Sequence, residues 1–423
     1  MNKRLITAMA AVSASATVLA TTSAAEVQYN VDSASMLLNA ESSEADKDVG
    51  AGDDRSDLII IGDNNTDNNV VTTRKFPATE NNTRYIGRNF YDGDTLWLVQ
   101  SGSAAEFNVC GTSASVVLCG DEYMHSEPDM RPRYAILVDG EVVRDSFVSR
   151  EPERVTVFSG TEPRSATVRI IHLSEANYGA IGVSGIEADT YSDDAVSPTN
   201  KKDVSIEFIG DSITCGYGVE AASQYEPFTT ATENFMKSYA YLAAEKLGAD
   251  YSAVSYSGHG IYSGYSPDGS RMENSLVPPY YSNIGSLPAY ARAWDFSSAV
   301  CDIVVLSLGT NDGTYIVNDP RTRSEEFSKA YRDFLGVVRQ KNPDAYIVCT
   351  HGAMGYPDVY SVIAKTVVDY TAETGDNRIT SFQLPEQKYS NGYGADWHPS
   401  RKTQMIAAEK LAEELKTIIG KIK

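Results

Sequence analysis

The sequence predicts two domains in tandem, an all-β antiparallel sandwich over residues 74–192 and an α/β domain built on a parallel sheet over 204–423. Three observations carry that expectation. At 423 residues the chain is longer than one hydrophobic core usually organises. Its first half consists of short β-branched and aromatic runs separated by turn residues, with no long amphipathic helix among them. Its second half alternates such runs with segments of helical period, which implies parallel strands covered by helices on both faces.

In the first half the strand segments are TLWLVQ, EFNVCG, ASVVLCG, YAILV, EVVRDSFV, RVTVFSG and ATVRIIHL. Asp139-Gly140, between YAILV and EVVRDSFV, marks a two-residue hairpin turn. The polar stretch YSDDAVSPTNKKD contains a proline and supplies a linker at 193–203. Beyond it VSIEFIG is a strand, and NFMKSYAYLAAEKLG has a helical pattern that Gly248 would cap. The strands ADYSAVSYS and CDIVVLSLG follow, separated by a tyrosine-rich insertion. The next helix opens at a capping box, Thr322 to Glu325, and runs through EEFSKAYRDFLGVVRQ. The strand AYIVCT, a helix around VYSVIAKTVVDYTAE, the strand RITSFQL and a last helix from about Ser400 complete the series.

The N-terminus reads as an export signal. Basic MNKR precedes LITAMAAVSASATVLA, and the small residues of TTSAAE offer cleavage after Ala24 or Ala25, so residues 1–25 are assigned as a signal peptide. A transmembrane anchor is the alternative, but no later segment approaches the roughly 18 uninterrupted apolar residues of a span. Residues 26–73 include the acidic, aperiodic AESSEADKDVGAGDDRS and are expected to be a flexible polar segment. The formal charge of -21 disfavours nucleic acid and anionic membrane as partners, because both need clustered Lys and Arg. A neutral substrate and a monomer are expected.

Five cysteines cannot complete a disulfide framework. Cys110 and Cys119 flank GTSASVVL, a candidate hairpin, and are either a disulfide pair or two thiols. No CxxC, no HExxH and no cluster of His with carboxylates is present in the sequence, so neither a metal site nor a cofactor is expected.

Ser212 stands just past IEFIG, at the strand edge where open α/β sheets bind ligands. Alone it is a turn residue, because a serine hydroxyl is a weak nucleophile without a base. Of the five histidines, His125 and His172 belong to the sandwich half, the first in a loop and the second in a strand. His259 and His351 stand at strand ends of the second half, and His398 lies in GADWHPS between the last strand and the last helix. His398 is favoured because Pro399 restrains it to extended geometry just ahead of a helix. Acyl transfer also needs donors for the carbonyl oxygen. Asn311 in SLGTND offers a side-chain NH2, and Gly258 in SYSGHG offers a backbone N–H unobstructed by a side chain.

Four blocks, GDSIT at 210–214, SGHG at 257–260, GTND at 309–312 and DWHP at 396–399, occur in order, each after a strand segment. This pattern resembles the SGNH, or GDSL-type, hydrolase superfamily over residues 204–423. The preceding β domain with YAILVDGE, together with GDSITCGYG and DWHP, resembles carbohydrate esterase family 2. The resemblance implies a jelly-roll sandwich joined to a flavodoxin-like, three-layer αβα domain, secreted, and active on acetylated plant polysaccharides such as xylan and glucomannan. It implies Ser212 as nucleophile, His398 as general base, and Ser212 N–H, Gly258 N–H and the Asn311 side chain as oxyanion hole. It also implies Trp397 beside the active site, against the apolar face of a sugar ring.

One position departs from the superfamily. Ala395 stands three before the histidine, where an orienting aspartate is often found. Asp396 either reaches the imidazole or is a surface or substrate-contacting carboxylate, with a backbone carbonyl then holding the ring in a Ser-His dyad. Two other functions fit the same blocks: a lipase or thioesterase acting on longer acyl esters, and a glycan-binding module whose site has lapsed.

Overall fold

The computed structural model describes residues 70–422. The expected signal peptide, and all but the end of the 26–73 segment, lie outside the described residues. Among the described residues no helix is long and apolar enough to cross a membrane.

The N-terminal domain is one ten-stranded antiparallel sheet curled on itself. Its strands are β1 (Thr72–Phe76), β2 (Arg84–Ile86), β3 (Asn89–Asp92), β4 (Thr95–Leu98), β5 (Ala104–Gly120), β6 (Arg133–Val138), β7 (Glu141–Phe147), β8 (Glu153–His172), β9 (Ile181–Thr190) and β10 (Val196–Pro198). The main path runs β3-β4-β9-β5-β8-β6-β7, with β1 on β9 and both β2 and β10 on β5. Strands β5 (17 residues) and β8 (20 residues) pair along most of their length, with register shifts near Gly111 and Ala114. Such bulges bend a sheet and increase its twist. Leu96, Leu98, Phe107, Val116, Val168, Ile170, Ile181 and Val183 fill the space between the layers. The Asp139-Gly140 turn forms as expected, with positive φ at both residues (52° and 88°).

Two expectations are corrected here. Cys110 and Cys119 do not flank a hairpin; both lie on β5, and all five cysteines are free thiols. Gly111 is there for close approach and not for a turn, since a Cβ on it would sit 2.5 Å from the Asp189 carbonyl oxygen. The stretch 193–203 is also more than a linker, because Val196–Pro198 pairs with β5 as a strand.

The C-terminal domain holds five parallel strands, β11 (Ser205–Gly210), β12 (Asp250–Ser255), β13 (Ile303–Ser307), β14 (Tyr346–Ala353) and β15 (Ile379–Glu386). Their order is β12-β11-β13-β14-β15, the flavodoxin-like arrangement with β11 between β12 and β13. Six α-helices accompany them: α1 (Ser212–Cys215), α2 (Tyr239–Leu247), α3 (Thr310–Ile316), α4 (Pro320–Lys341), α5 (Pro357–Thr374) and α6 (Arg401–Ile422). Ile206, Phe208 and Val305 pack with α2 and α6 on one face. Ile209, Val304 and Leu306 pack with α4 and α5 on the other. Burial on both faces explains the unbroken apolar runs of these strands.

Helix starts differ from the sequence expectation at two places. Helix α4 begins at Pro320 and not at Thr322: Asp319 caps it by accepting the Thr322 N–H, and proline's fixed φ suits the first helical position. The segment before α2 splits, with a short 3-10 turn at Phe235–Lys237 and Ser238 as the cap of α2. The two domains share one core, for Ala135, Leu137, Ile171 and Leu173 of the first pack with Phe235 and Tyr239 of the second.

Candidate active site

The block GDSITCG folds as a sharp strand-to-helix elbow. Gly210 ends β11 where a Cβ would lie 2.0 Å from Thr214 Oγ1, so only glycine lets α1 pack over the strand end. Asp211 then caps α1, accepting the Ile213 N–H at 3.0 Å, and Gly216 (φ 80°) stops it after one turn. Ser212 is thereby held at the first helical position, 5% exposed, beyond the C-terminal edge of β11.

The last block presents its histidine by a different device. Asp396 and Trp397 both take positive φ (48° and 65°), and His398 is extended ahead of Pro399. This bent segment is pinned by Gly394 N–H donating to the His398 carbonyl (2.8 Å) and Ala395 N–H to the Gly218 carbonyl (3.0 Å). His398 Nε2 lies 2.8 Å from Ser212 Oγ, while Nδ1 lies 3.1 Å from the Ala395 carbonyl oxygen. A carbonyl only accepts, so the proton sits on Nδ1, and Nε2 is left as acceptor of the Ser212 hydroxyl proton. Burial lowers the His398 pKa to about 4, partly opposed by the carbonyl of Ala395, so the imidazole is neutral at neutral pH.

Asp396 does not touch the imidazole in this arrangement. Its Oδ2 accepts the Tyr217 hydroxyl proton at 2.7 Å. Tyr217 in turn stacks on the His398 ring, with centroids 4.0 Å apart and planes 28° apart, and is backed by Phe228 at 4.3 Å. Ala395 is fully buried against Gly218, where even a Cβ on the glycine would come within 2.4 Å of the alanine Cβ. A longer acid at 395 would displace that loop. The imidazole is therefore oriented by a backbone carbonyl on one side and an aromatic face on another.

The oxyanion candidates follow the two strands flanking β11. Gly258, after β12, has φ 75°, and a Cβ placed on it would meet no atom within 4 Å, so glycine is required there by conformation and not by space. Asn311, after β13, donates its side-chain N–H to the His259 carbonyl at 2.8 Å. Among the described residues no backbone acceptor takes the Ser212 or Gly258 backbone N–H. Asp312, fully buried, accepts N–H bonds from Ile261, Tyr262 and Ser263 and so ties the loop after β12 to α3. Burial raises its pKa to about 6 despite those donors.

The competing histidines make no hydrogen bond to Ser212, whose hydroxyl meets His398. His259 Nδ1 lies 2.9 Å from the Ser257 carbonyl. His351 is buried beside Gly309, and neither ring nitrogen has a partner among the described residues. His172 is buried with Nε2 3.0 Å from Ser174 Oγ. Trp397 is half-buried and packs on Tyr393 (5.3 Å) and on the largely exposed Tyr225 (5.6 Å). From the tyrosine-rich insertion Tyr281 and Tyr290 are core residues. Tyr217, Tyr225 and Tyr393 escape sequence reasoning; only Tyr217 had a signal, its place inside GDSITCGYG.

Residues 208–406 match the GDSL-like Lipase/Acylhydrolase family, and residues 85–198 match the carbohydrate esterase 2 N-terminal domain. A solved family two carbohydrate esterase from Clostridium thermocellum, in complex with cellohexaose, is 31% identical with a TM-score of 0.70, over 80% of this chain and 99% of that one. The Cellulase/esterase CelE of Acetivibrio thermocellus is 32% identical over 79% of this chain, which spans only 39% of that longer protein. An acetylxylan esterase / glucomannan deacetylase of Cellvibrio japonicus is 21% identical over 84% of this chain and 94% of its own length. With both domains matched in order and a solved relative covered almost end to end, the chain belongs to carbohydrate esterase family 2, a family of esterases.

Proposed function

We propose that the chain is an exported esterase that removes O-acetyl groups from plant cell-wall polysaccharides, acetylated xylan or glucomannan, through an acetyl-enzyme on Ser212. The observation that carries this reading is the 2.8 Å contact of Ser212 Oγ with a neutral His398 Nε2 at the sheet edge. Ser212 Oγ attacks the acetyl carbonyl as His398 Nε2 takes its proton. The tetrahedral oxyanion is stabilised by the N–H groups of Ser212 and Gly258 and by the Asn311 amide. Collapse expels the sugar oxygen, which leaves with the proton from His398. Water, deprotonated by the same nitrogen, then releases acetate and restores Ser212.

Trp397, with Tyr393 and Tyr225, offers aromatic faces beside the histidine for the apolar side of a sugar ring. Export rests on the N-terminal pattern of residues 1–25, and the names of the Cellvibrio relatives support the substrate class. Acetate release from acetylated xylan and glucomannan, followed by NMR, tests the assignment. Ser212→Ala is expected to abolish release while the protein stays folded by circular dichroism, and substantial residual activity overturns it.

A further inference from the structure

The N-terminal domain sends one carboxyl group beneath the candidate oxyanion hole. Glu175 lies between β8 and β9 and is 1% exposed. Its Oε2 accepts the Ser257 N–H at 2.7 Å and lies 3.6 Å from the Cys215 thiol. Cys215 belongs to α1, the turn that carries Ser212, and Ser257 immediately precedes Gly258. One oxygen of the first domain thus touches both segments that hold the backbone oxyanion donors.

The environment keeps Glu175 in place. Its own N–H donates to Glu233 Oε2 at 2.9 Å, and Glu233 is fully buried. Polar atoms of Glu175, Glu233 and Cys215 all lie within 4.8 Å of one another. The nearby Arg133 guanidinium is engaged by Asp145, Glu220 and the carbonyls of Ala231 and Glu233, and so is committed away from the Glu175 carboxyl. Burial raises the Glu175 pKa above the ordinary carboxylate value, opposed by the hydrogen bonds from Ser257 and Cys215.

The two consecutive peptides that lead into Gly258 are each held by one contact. His259 Nδ1 donates to the Ser257 carbonyl (2.9 Å), and Glu175 accepts the Ser257 N–H. The Gly258 N–H shares the rigid plane of that carbonyl, so the His259 contact sets its direction at once, while Glu175 holds the preceding peptide plane and so restrains Ser257, the residue from which the Gly258 N–H plane hangs. Glycine at φ 75° has a wide conformational range and would not hold this direction by itself.

We propose that Glu175 is a positioning residue for catalysis: the N-terminal domain completes the oxyanion hole by fixing Ser257 and thereby aiming the Gly258 N–H. This rests on Ser212 being the nucleophile. Removing an oxyanion donor costs about 100- to 1,000-fold in kcat, and misaiming one costs less.

The test compares Glu175→Gln, Glu175→Asp and Glu175→Ala in the full chain on p-nitrophenyl acetate, with kcat normalised to active sites titrated by an organophosphate. Glu175→Gln keeps an oxygen for the Ser257 N–H and is expected to stay within about threefold of wild type. Glu175→Ala is expected to lose about 10- to 100-fold in kcat with KM within about twofold. Glu175→Asp withdraws the oxygen by one methylene and decides the matter if the alanine variant does not fold; it is expected to lose at least about fivefold in kcat. Wild-type kcat per titrated site in Glu175→Asp or in folded Glu175→Ala overturns the proposal, as does an equal loss in all three variants. Ser212→Ala serves as the separate control: if it stays active, the nucleophile assignment has failed, whatever the Glu175 variants do.

Discussion

Replacing Asp396 by asparagine separates a Ser-His dyad from a triad. The Asp396 carboxylate bonds Tyr217 at 2.7 Å, whereas the ring N–H of His398 goes to the Ala395 carbonyl at 3.1 Å. If Asp396 oriented the imidazole directly, amide substitution would cost about 10,000-fold in kcat, or about 5 kcal/mol. If it acts only through Tyr217, the substituted amide still offers an oxygen to the phenol. The change then exchanges a hydrogen bond to a charged acceptor, worth about 1.5–3 kcal/mol, for a neutral one worth about 0.5–1.5 kcal/mol. The difference, about 1 kcal/mol, reaches the barrier only in so far as it loosens the Tyr217 face against His398, and a full transfer is about fivefold. Asp396→Asn is therefore expected to keep kcat within about tenfold of wild type on p-nitrophenyl acetate. A loss of about 1,000-fold or more would refute the dyad and place Asp396 on the imidazole during turnover.

Because burial lowers the His398 pKa to about 4, the base becomes protonated and inactive only below that pH. The acid limb of kcat/KM is expected near pH 4; a limb at about 6.5, the ordinary imidazole value, contradicts the desolvated site. Cys110 and Cys119 lie nine positions apart on one extended strand, about 30 Å, far beyond disulfide reach. Dithiothreitol is expected to leave Tm unchanged, and a thiol reagent in denaturant should count five thiols per chain. Trp397→Ala is expected to raise KM for acetylated xylan several-fold and leave p-nitrophenyl acetate hydrolysis nearly unchanged, measured by parallel kinetics on the two substrates. A parallel loss on both would make Trp397 a support of the His398 segment and not a sugar platform.

Much of this protein is legible in one dimension because its rules are local. Period-two and period-3.6 patterns mark the two domains, and Gly248 and Asp139-Gly140 act where their φ preferences put them. The four blocks follow strand ends, and a parallel sheet gathers strand ends at one edge, so Ser212, Gly258, Asn311 and His398 could be named as a group. Helix starts were less legible, as at α4, where Asp319 and Pro320 outcompete the Thr322 capping box.

Long-range contacts decided the rest. No pattern within the sequence says that Ala395 contributes through its carbonyl, that Asp396 turns to Tyr217, or that Tyr217 stacks on His398 from the far end of the same domain. GTSASVVL reads as a hairpin until β8 and β9 are seen to pair along it on either side. Glu175 is an unremarked acid in a loop until the shared core carries it beneath the strand ends. Sequence by itself determined which residue types stand at the sheet edge, since that follows from period and turn chemistry. Tertiary packing alone decided which of them touch, because hydrogen bonds and ring contacts depend on distances that chain separation does not encode.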